Sequence, residues 1–176
     1  MTDDIARRRF HENVLPYLDD AYSLARWITG DAADAEDVTQ EACLRALKAL
    51  TKAPPERPRA FLLAITRNAA YSWLAKNRPR ALVLVGGAED AEASAGAHRE
   101  TAPSQEATLI AATDQARLRA AIEQLPLAFK EALVMRDIND LSYRDIAEAT
   151  GAPVGTVMSR LSRARALLAK SLGDLR

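Results

Sequence analysis

The chain predicts an all-α fold: two small helical domains joined by a flexible acidic linker. Three observations carry that expectation. Apolar residues recur at helical spacing over about 4–78 and again over 111–176, and the segment between them, 79–110, lacks that period. The intervening segment is rich in Ala, Gly, Ser and Glu, and its acids Glu89, Asp90, Glu92, Glu100 and Glu106 mark it as a charged tether. Alanine and leucine dominate a composition that is 48% hydrophobic but only 5% aromatic.

At 176 residues the chain can hold one domain or two small ones. Its 24 basic and 24 acidic residues cancel, so indiscriminate coating of nucleic acid is not expected, and any DNA-facing charge must be segregated. Cys43 is the sole cysteine, which excludes an intramolecular disulfide and a cysteine-based zinc site. It lies beside the apolar stripe of its helix and reads as a small core residue. His11 and His98 stand apart with no ligand spacing around them, so neither a metal nor a cofactor is expected. "MTDDIARRRF" has no apolar signal core, and the runs "AFLLAI" and "ALVLV" are too short to span a bilayer. The expectation is a soluble cytoplasmic protein that inserts into no membrane.

The elements follow in order. "FHENVLPYLDDAYSLARWITG" places Phe10, Val14, Leu18, Tyr22, Leu24, Ala25 and Ile28 at helical intervals, interrupted at Pro16 and ended near Gly30. "DAADAEDVTQEACLRALKAL" is a second helix with Asp34 as its expected N-cap. Its buried stripe is Ala35, Val38, Ala42, Ala46 and Ala49, and its outer face carries Asp37, Gln40, Glu41 and Lys48 with Leu44 among them. A leucine in an acidic stripe fits either a protein partner or a scattered surface apolar residue. "TKAPPERP" is a proline-rich loop.

"RAFLLAITRNAAYSWLAKNR" is a third long helix. Its expected buried face is Phe61, Leu62, Ile65, Ala69 and Trp73. The opposite side shows Leu63, Arg67, Tyr71, Leu74 and Arg78, with Asn68 at the edge. From 57 to 80 the charges are Arg57, Arg59, Arg67, Lys76, Arg78 and Arg80, with Glu56 just outside and no acid within. Cations around an exposed ring suit single-stranded DNA, whose unstacked bases lie against aromatics while phosphates meet arginines. A basic helix that merely folds the domain is the other reading.

Helix resumes near 111 and runs through "RLRAAIEQL" and "LAFKEALVMRDI". "LSYRDIAEATGAPVGTV" then reads as a short helix, a tight turn and the start of another helix. Ser142 caps the first, with Asp145 as its capping-box partner. Ala147, Gly151 and Val157 have helix-turn-helix spacing: a small residue for close crossing, a glycine for the turn, a branched residue packing back. An ordinary helical hairpin is the alternative. On the last helix Val154, Val157, Leu161, Ala164, Leu168 and Leu172 form the expected buried stripe. Opposite lie Gly155, Thr156, Ser159, Ser162, Arg163, Ala166 and Lys170, with Arg160 and Arg165 on the shoulders. Small residues flanked by arginines suit a helix seated in a major groove.

A single-strand-type surface, an acidic linker and a C-terminal helix-turn-helix, in that order, resemble the extracytoplasmic-function (ECF) subfamily of sigma-70 family factors. "DAEDVTQEACLRAL" resembles the family's polymerase-clamp helix, "AFLLAITRNAAYSWLAKNR" the segment that opens the −10 element, and "AIEQLPLAFKEALVMRDINDLSYRDIAEATGAPVGTVMSRLSRAR" the region that reads the −35 element. The resemblance implies a sigma region 2 domain over 4–78 and a region 4 domain over 111–176. It implies clamp contacts at Asp37, Gln40, Glu41 and Leu44, and −10 contacts at Arg67, Asn68, Tyr71 and Arg78, beside a base-capturing loop over 51–58. The −35 contacts fall to Thr156, Ser159, Arg160, Arg163 and Arg165. The implied partners are core RNA polymerase through its β′ clamp and β flap, promoter DNA, and an anti-sigma factor. No catalytic residue and no cofactor are implied.

The chain departs from the family pattern in places. Met158 stands where many members have a basic residue, the family often has aromatics near Phe61 and Ser162, and the 51–58 loop lacks the glycine-rich form. These bear on which promoter is read. Three other classes compete. An independent helix-turn-helix regulator would bind duplex DNA tightly without polymerase. An enzyme would use the Asp31, Asp34, Glu36 and Asp37 cluster as a metal site, but acids crowding a helix N-terminus also follow from the helix dipole. An inert helical adaptor would leave the segregated arginines unexplained.

Overall fold

The computed structural model describes residues 2–83 and 106–173, and all regular structure among them is helical. The 79–110 linker therefore lies mostly outside the described residues. Its first residues, Pro79–Val83, form a short helix, and helix resumes at Glu106.

Helix α1 spans Thr2–Asn13 and leads through a 3-10 turn, Leu15–Tyr17, into α2, Leu18–Thr29. Pro16 sits in the first turn of that 3-10 segment, where its missing N–H breaks no ladder. Gly30 ends α2 in the left-handed region at φ 78°, and its amide donates to the Arg26 carbonyl at 3.0 Å. Helix α3, Ala32–Leu50, is capped by Asp31, not by the expected Asp34. Asp31 follows the turn glycine in an extended conformation, so its carboxylate accepts from the amides of Ala33 at 2.9 Å and Asp34 at 3.1 Å. That commits one member of the acid cluster to capping. Ala35, Val38, Ala42, Ala46 and Leu50 are the buried face, and Ala49 is only half-buried.

Helix α4, Pro58–Asn77, follows the 51–57 loop, and the short α5 spans Pro79–Val83. Its burial differs from the periodicity-based expectation. Leu63 and Leu74, assigned to the outer side, are buried with Leu62, Thr66, Ala69 and Ala70, whereas Phe61, Ile65 and Trp73 are half-buried. The reason is packing on more than one side. α4 rests on α2 and α3, and its far side meets the helix Tyr143–Thr150 of the C-terminal half.

Helix α6 spans Glu106–Glu123 and packs on α9, Val154–Gly173. Helix α7, Leu127–Leu133, continues as a π-helical turn, Val134–Ile138, closed by Asn139 N–H to the Val134 carbonyl at 2.9 Å. Asp140 then takes a left-handed φ of 55°, and α8 spans Tyr143–Thr150. Gly151, at φ 70°, makes the turn into α9. Val157, Leu161 and Ala164 are the buried stripe of α9, but Val154, expected in it, is exposed because the helix has not yet reached its neighbours in its first turn.

The two halves are not independent bodies. One apolar cluster runs from Val14, Leu24 and Leu62 to Met135, Leu141, Ile146 and Leu161. A smaller one, Ile122, Leu125, Phe129, Leu133 and Ala164, packs against Trp27 of α2.

Two glycines of the helix-turn-helix test this backbone reading with opposite signs. A Cβ at Gly151 or Gly155 would meet nothing within 4 Å, but only Gly151 has positive φ. Gly151→Ala is expected to lower unfolding free energy by about 1–2 kcal/mol from backbone strain. Gly155→Ala should raise it by about 0.5 kcal/mol by restricting the unfolded chain. Urea denaturation of both variants measures the two shifts.

Candidate nucleic-acid interface

The C-terminal face is built by a complete helix-turn-helix. The Ser142 Oγ accepts from the Asp145 amide at 3.1 Å and donates to the Asp145 carboxylate at 2.8 Å, fixing the start of α8. Ile146, Val157 and Leu161 are buried between the two helices, which sets how far α9 stands out. The side of α9 away from that seam carries Ser159, Ser162, Arg163, Ala166 and Lys170, all exposed, with Thr156 and Arg160 half-buried beside them. No ion pair to Arg160 or Arg163 occurs among the described residues. Arg165 differs: it forms a fork to Asp137 at 2.7 and 3.2 Å, and that hydrogen bond raises the guanidinium's pKa. Met158 is 52% exposed at the helix's leading end. This surface can approach a groove closely through its small residues and offer two uncommitted forks to bases or phosphates.

On α3, Asp37, Gln40, Glu41 and Leu44 are all exposed and lie on one face. Glu41 is held by Arg45 one turn on, at 2.7 Å. Leu44 is 56% exposed and rims an apolar groove of about 540 Å³ lined by Phe10, Leu18, Tyr22, Cys43 and Leu47. Cys43 is half-buried in that groove, and burial pushes its thiol pKa up. A surface with an acidic rim and an apolar floor suits a protein partner.

The α4 residues are placed differently. Asn68 and Arg78 are exposed, and Arg78 lies 5.4 Å over the Trp73 ring while donating to the Thr29 carbonyl at 3.1 Å. Arg67 and Tyr71 are turned into the joint between the halves. The Arg67 guanidinium forks onto Glu131 of α7 at 2.7 and 3.1 Å, and the Tyr71 hydroxyl donates to the same carboxylate at 2.7 Å. Arg67 also lies 4.2 Å over the Tyr71 ring. The Arg67 side chain is 15% exposed and that of Glu131 is 0% exposed. Burial pulls the Arg67 pKa down, but the hydrogen bond and charge of Glu131 overcome it and raise it. Burial, and then the Glu131 carboxylate, push the Tyr71 phenol up.

Two further groups of polar side chains meet at the joint. Arg59 pairs with Asp20 at 2.7 Å and donates to the Asn139 carbonyl, while the Asn139 side chain donates to Asp20 at 2.9 Å. Arg57 pairs with Asp145 and, at 3.5 Å, with Glu148, both on α8. Sequence reasoning missed the acids in this set. Glu131 did leave a signal: it stands four residues from Leu127 on one side and Met135 on the other, both buried, so it occupies a core position of α7. Asp20 and Asn139 left none, because their partnership spans 119 residues of chain.

Comparison with known proteins follows the same division of the chain. Residues 14–80 match the model of sigma-70 region 2, and residues 115–168 match that of sigma-70 region 4. The chain is 34% identical to RNA polymerase sigma-H factor of Pseudomonas aeruginosa, over 96% of this chain and 89% of that protein. It is 32% identical to the ECF RNA polymerase sigma factor EcfG of Rhodopseudomonas palustris, over 92% of this chain and 83% of that one. Among solved structures, the sigma factor RpoE in complex with the anti-sigma factor NepR from Bartonella quintana superposes with a TM-score of 0.66 at 24% identity, covering 95% of this chain and 98% of that chain. CnrH in complex with the cytosolic domain of CnrY gives 0.67 at 23% identity, covering 98% and 97%. Among the described residues no helix is long and apolar enough to cross a membrane.

The placement of Tyr71 sets a pH dependence. A phenol whose folded pKa is raised contributes stability that is complete below the ordinary tyrosine value of about 10 and is lost as pH rises through the folded value. Near-ultraviolet alkaline titrations of the parent and of Tyr71→Phe should differ by one ionisation that lies above the ordinary tyrosine value. A difference that falls at the ordinary tyrosine value would contradict the burial of Tyr71 against Glu131.

Proposed function

The chain belongs to the sigma-70 family, in its ECF group, and from that premise we propose how its surfaces divide the work of promoter recognition. It is a promoter-recognising sigma factor that acts with core RNA polymerase in transcription initiation. In this reading the chain contributes no bond-making step; the polymerase carries the nucleotide chemistry.

We assign the exposed face of α3, with Asp37, Gln40, Glu41 and Leu44, to the polymerase β′ clamp, the apolar groove beside Leu44 receiving part of that contact. The C-terminal half meets the β flap. Thr156, Ser159, Arg160 and Arg163 read the −35 element in the major groove, where a bidentate arginine–guanine contact supplies about 1–3 kcal/mol of discrimination. Arg165, already neutralised in part by Asp137, is left a backbone role. Arg67, Asn68, Tyr71 and Arg78 follow the displaced −10 strand, with the 51–58 loop receiving an extruded base. Extrusion costs a few kcal/mol, least at weakly stacked steps, so melting is driven by capture of a base that duplex DNA does not display. The observation that carries this reading is α9 itself, a helix on a helix-turn-helix frame whose outer side is small residues and uncommitted arginines. One structurally similar protein is a sigma factor held by the anti-sigma factor NepR, another is held by the cytosolic domain of its partner CnrY, and we extend to this chain an anti-sigma partner acting in the cytoplasm.

In vitro transcription from a promoter library, with core polymerase and with or without the chain, tests the whole. New transcripts downstream of a shared two-part motif are expected. Their absence, with tight duplex binding by the chain alone, would favour an independent regulator. On the recovered promoter, Arg163→Ala should reduce discrimination at one −35 position by about 1–3 kcal/mol. Met158→Arg should strengthen binding through one added phosphate contact and steepen the logarithmic salt slope by about 1. Leu44→Ala should weaken core-polymerase binding while leaving thermal stability unchanged, as read by fluorescence anisotropy and melting.

A further inference from the structure

We propose that Met158, with Val154 one turn before it, reads a base directly: it contacts the C5-methyl group of a thymine in the −35 element. The inference rests on the assignment of α9 to that element and adds a contact that arginines cannot make.

The observation lies at the leading end of α9. Seven large apolar side chains are exposed among the described residues, and Val154, at 42%, and Met158, at 52%, are the two that share a helix one turn apart. The Val157 amide donates to the Pro153 carbonyl at 3.1 Å, so Val154 and Met158 belong to the first two turns. At about 100° per residue, Met158 points roughly a quarter-turn from the buried seam of Val157, Leu161 and Ala164. Exposed Gly155, Ser159 and Ser162 separate it from Arg163. Arg165, the next cation along the flank of Met158, is forked onto Asp137. The projecting face is therefore divided, with free arginines on one flank, an apolar pair on the other and small residues between.

A helix seated in a major groove brings its N-terminal residues to the base edges. Of the groups that distinguish bases there, the thymine methyl is the apolar one; the rest donate or accept hydrogen bonds. A thioether carries no charge for a phosphate and no proton to donate. Its long, unbranched chain instead adapts to an apolar target, and small neighbours at Gly155 and Ser159 let the backbone approach the groove floor. Contact with the methyl removes apolar surface of both partners from water. Burying one such group corresponds to about fourfold in binding, and cytosine offers no equivalent. The pair thus turns apolar burial into base preference. Because no phosphate is neutralised, the preference should not vary with salt.

The test uses holoenzyme assembled from core polymerase and the full chain, on a synthetic duplex of the promoter recovered by library transcription. Each −35 thymine on either strand is replaced in turn by deoxyuridine, which removes only the methyl. Competition binding is measured for the parent, Met158→Ala, Met158→Arg and Arg163→Ala. One deoxyuridine should weaken binding by the parent about fourfold, equally at low and high salt. Met158→Ala and Met158→Arg should bind that duplex and the unmodified one alike, the second despite its added phosphate contact. Arg163→Ala should bind more weakly yet keep the deoxyuridine effect. Restoring the methyl group on the same deoxyuridine position, as 5-methyldeoxyuridine, should restore parent binding. Parent binding that is indifferent to every deoxyuridine, or a −35 element with no preferred thymine, would overturn the proposal. So would a deoxyuridine loss that persists undiminished in Met158→Ala. Weaker holoenzyme assembly by Met158→Ala without a methyl effect would overturn it too, and would make the pair a protein contact. A parent that supports no transcription from any promoter is a separate result: it defeats the sigma reading, and this inference with it.

Discussion

A carboxylate with no solvent exposure, Glu131, joins the two halves of the molecule. Taking such a charge out of water costs several kcal/mol, and it is tolerated only where geometry and hydrogen bonding are complete. Here a guanidinium fork and a phenol supply all the donors, on one helix and one turn apart. Arg67 and Tyr71 are thereby both tied to α7 through one carboxylate. An ion pair of this kind adds less to net stability than apolar residues of equal volume would. Its effect is to specify one arrangement of the halves.

That arrangement makes α4 the most constrained element. It is packed on α2 and α3 from one side and on α8 from the other. Helices α3 and α9 have no such conflict: each buries one stripe and presents the other, so a partner can be met without repacking the core. The orphaned Oδ1 of Asn139, buried without a partner among the described residues, fits the same picture.

Much of this was legible in the chain. Apolar period identified the helices, and the proline and glycine positions placed their breaks within a few residues. Ser142 and Asp145 were readable as a capping pair, and Gly151 as the turn, because those features depend on neighbours close in sequence. The cap of α3 was misplaced from Asp31 to Asp34 because several acids crowd that turn and only backbone geometry selects among them. The π-helical turn after α7 had no local signature.

What the sequence by itself determined was the set of helices, the helix-turn-helix, and the identity of the polar faces on α3 and α9, all governed by interactions within about a turn of chain. Only the tertiary structure decided which side of α4 is free. A helical wheel assumes one buried stripe, and α4 has contacts on two sides, the second supplied by residues some 60 positions away in sequence, as with Tyr71 and Glu131. Pairings over that distance depend on how two amphipathic surfaces dock, and periodicity carries no information about docking.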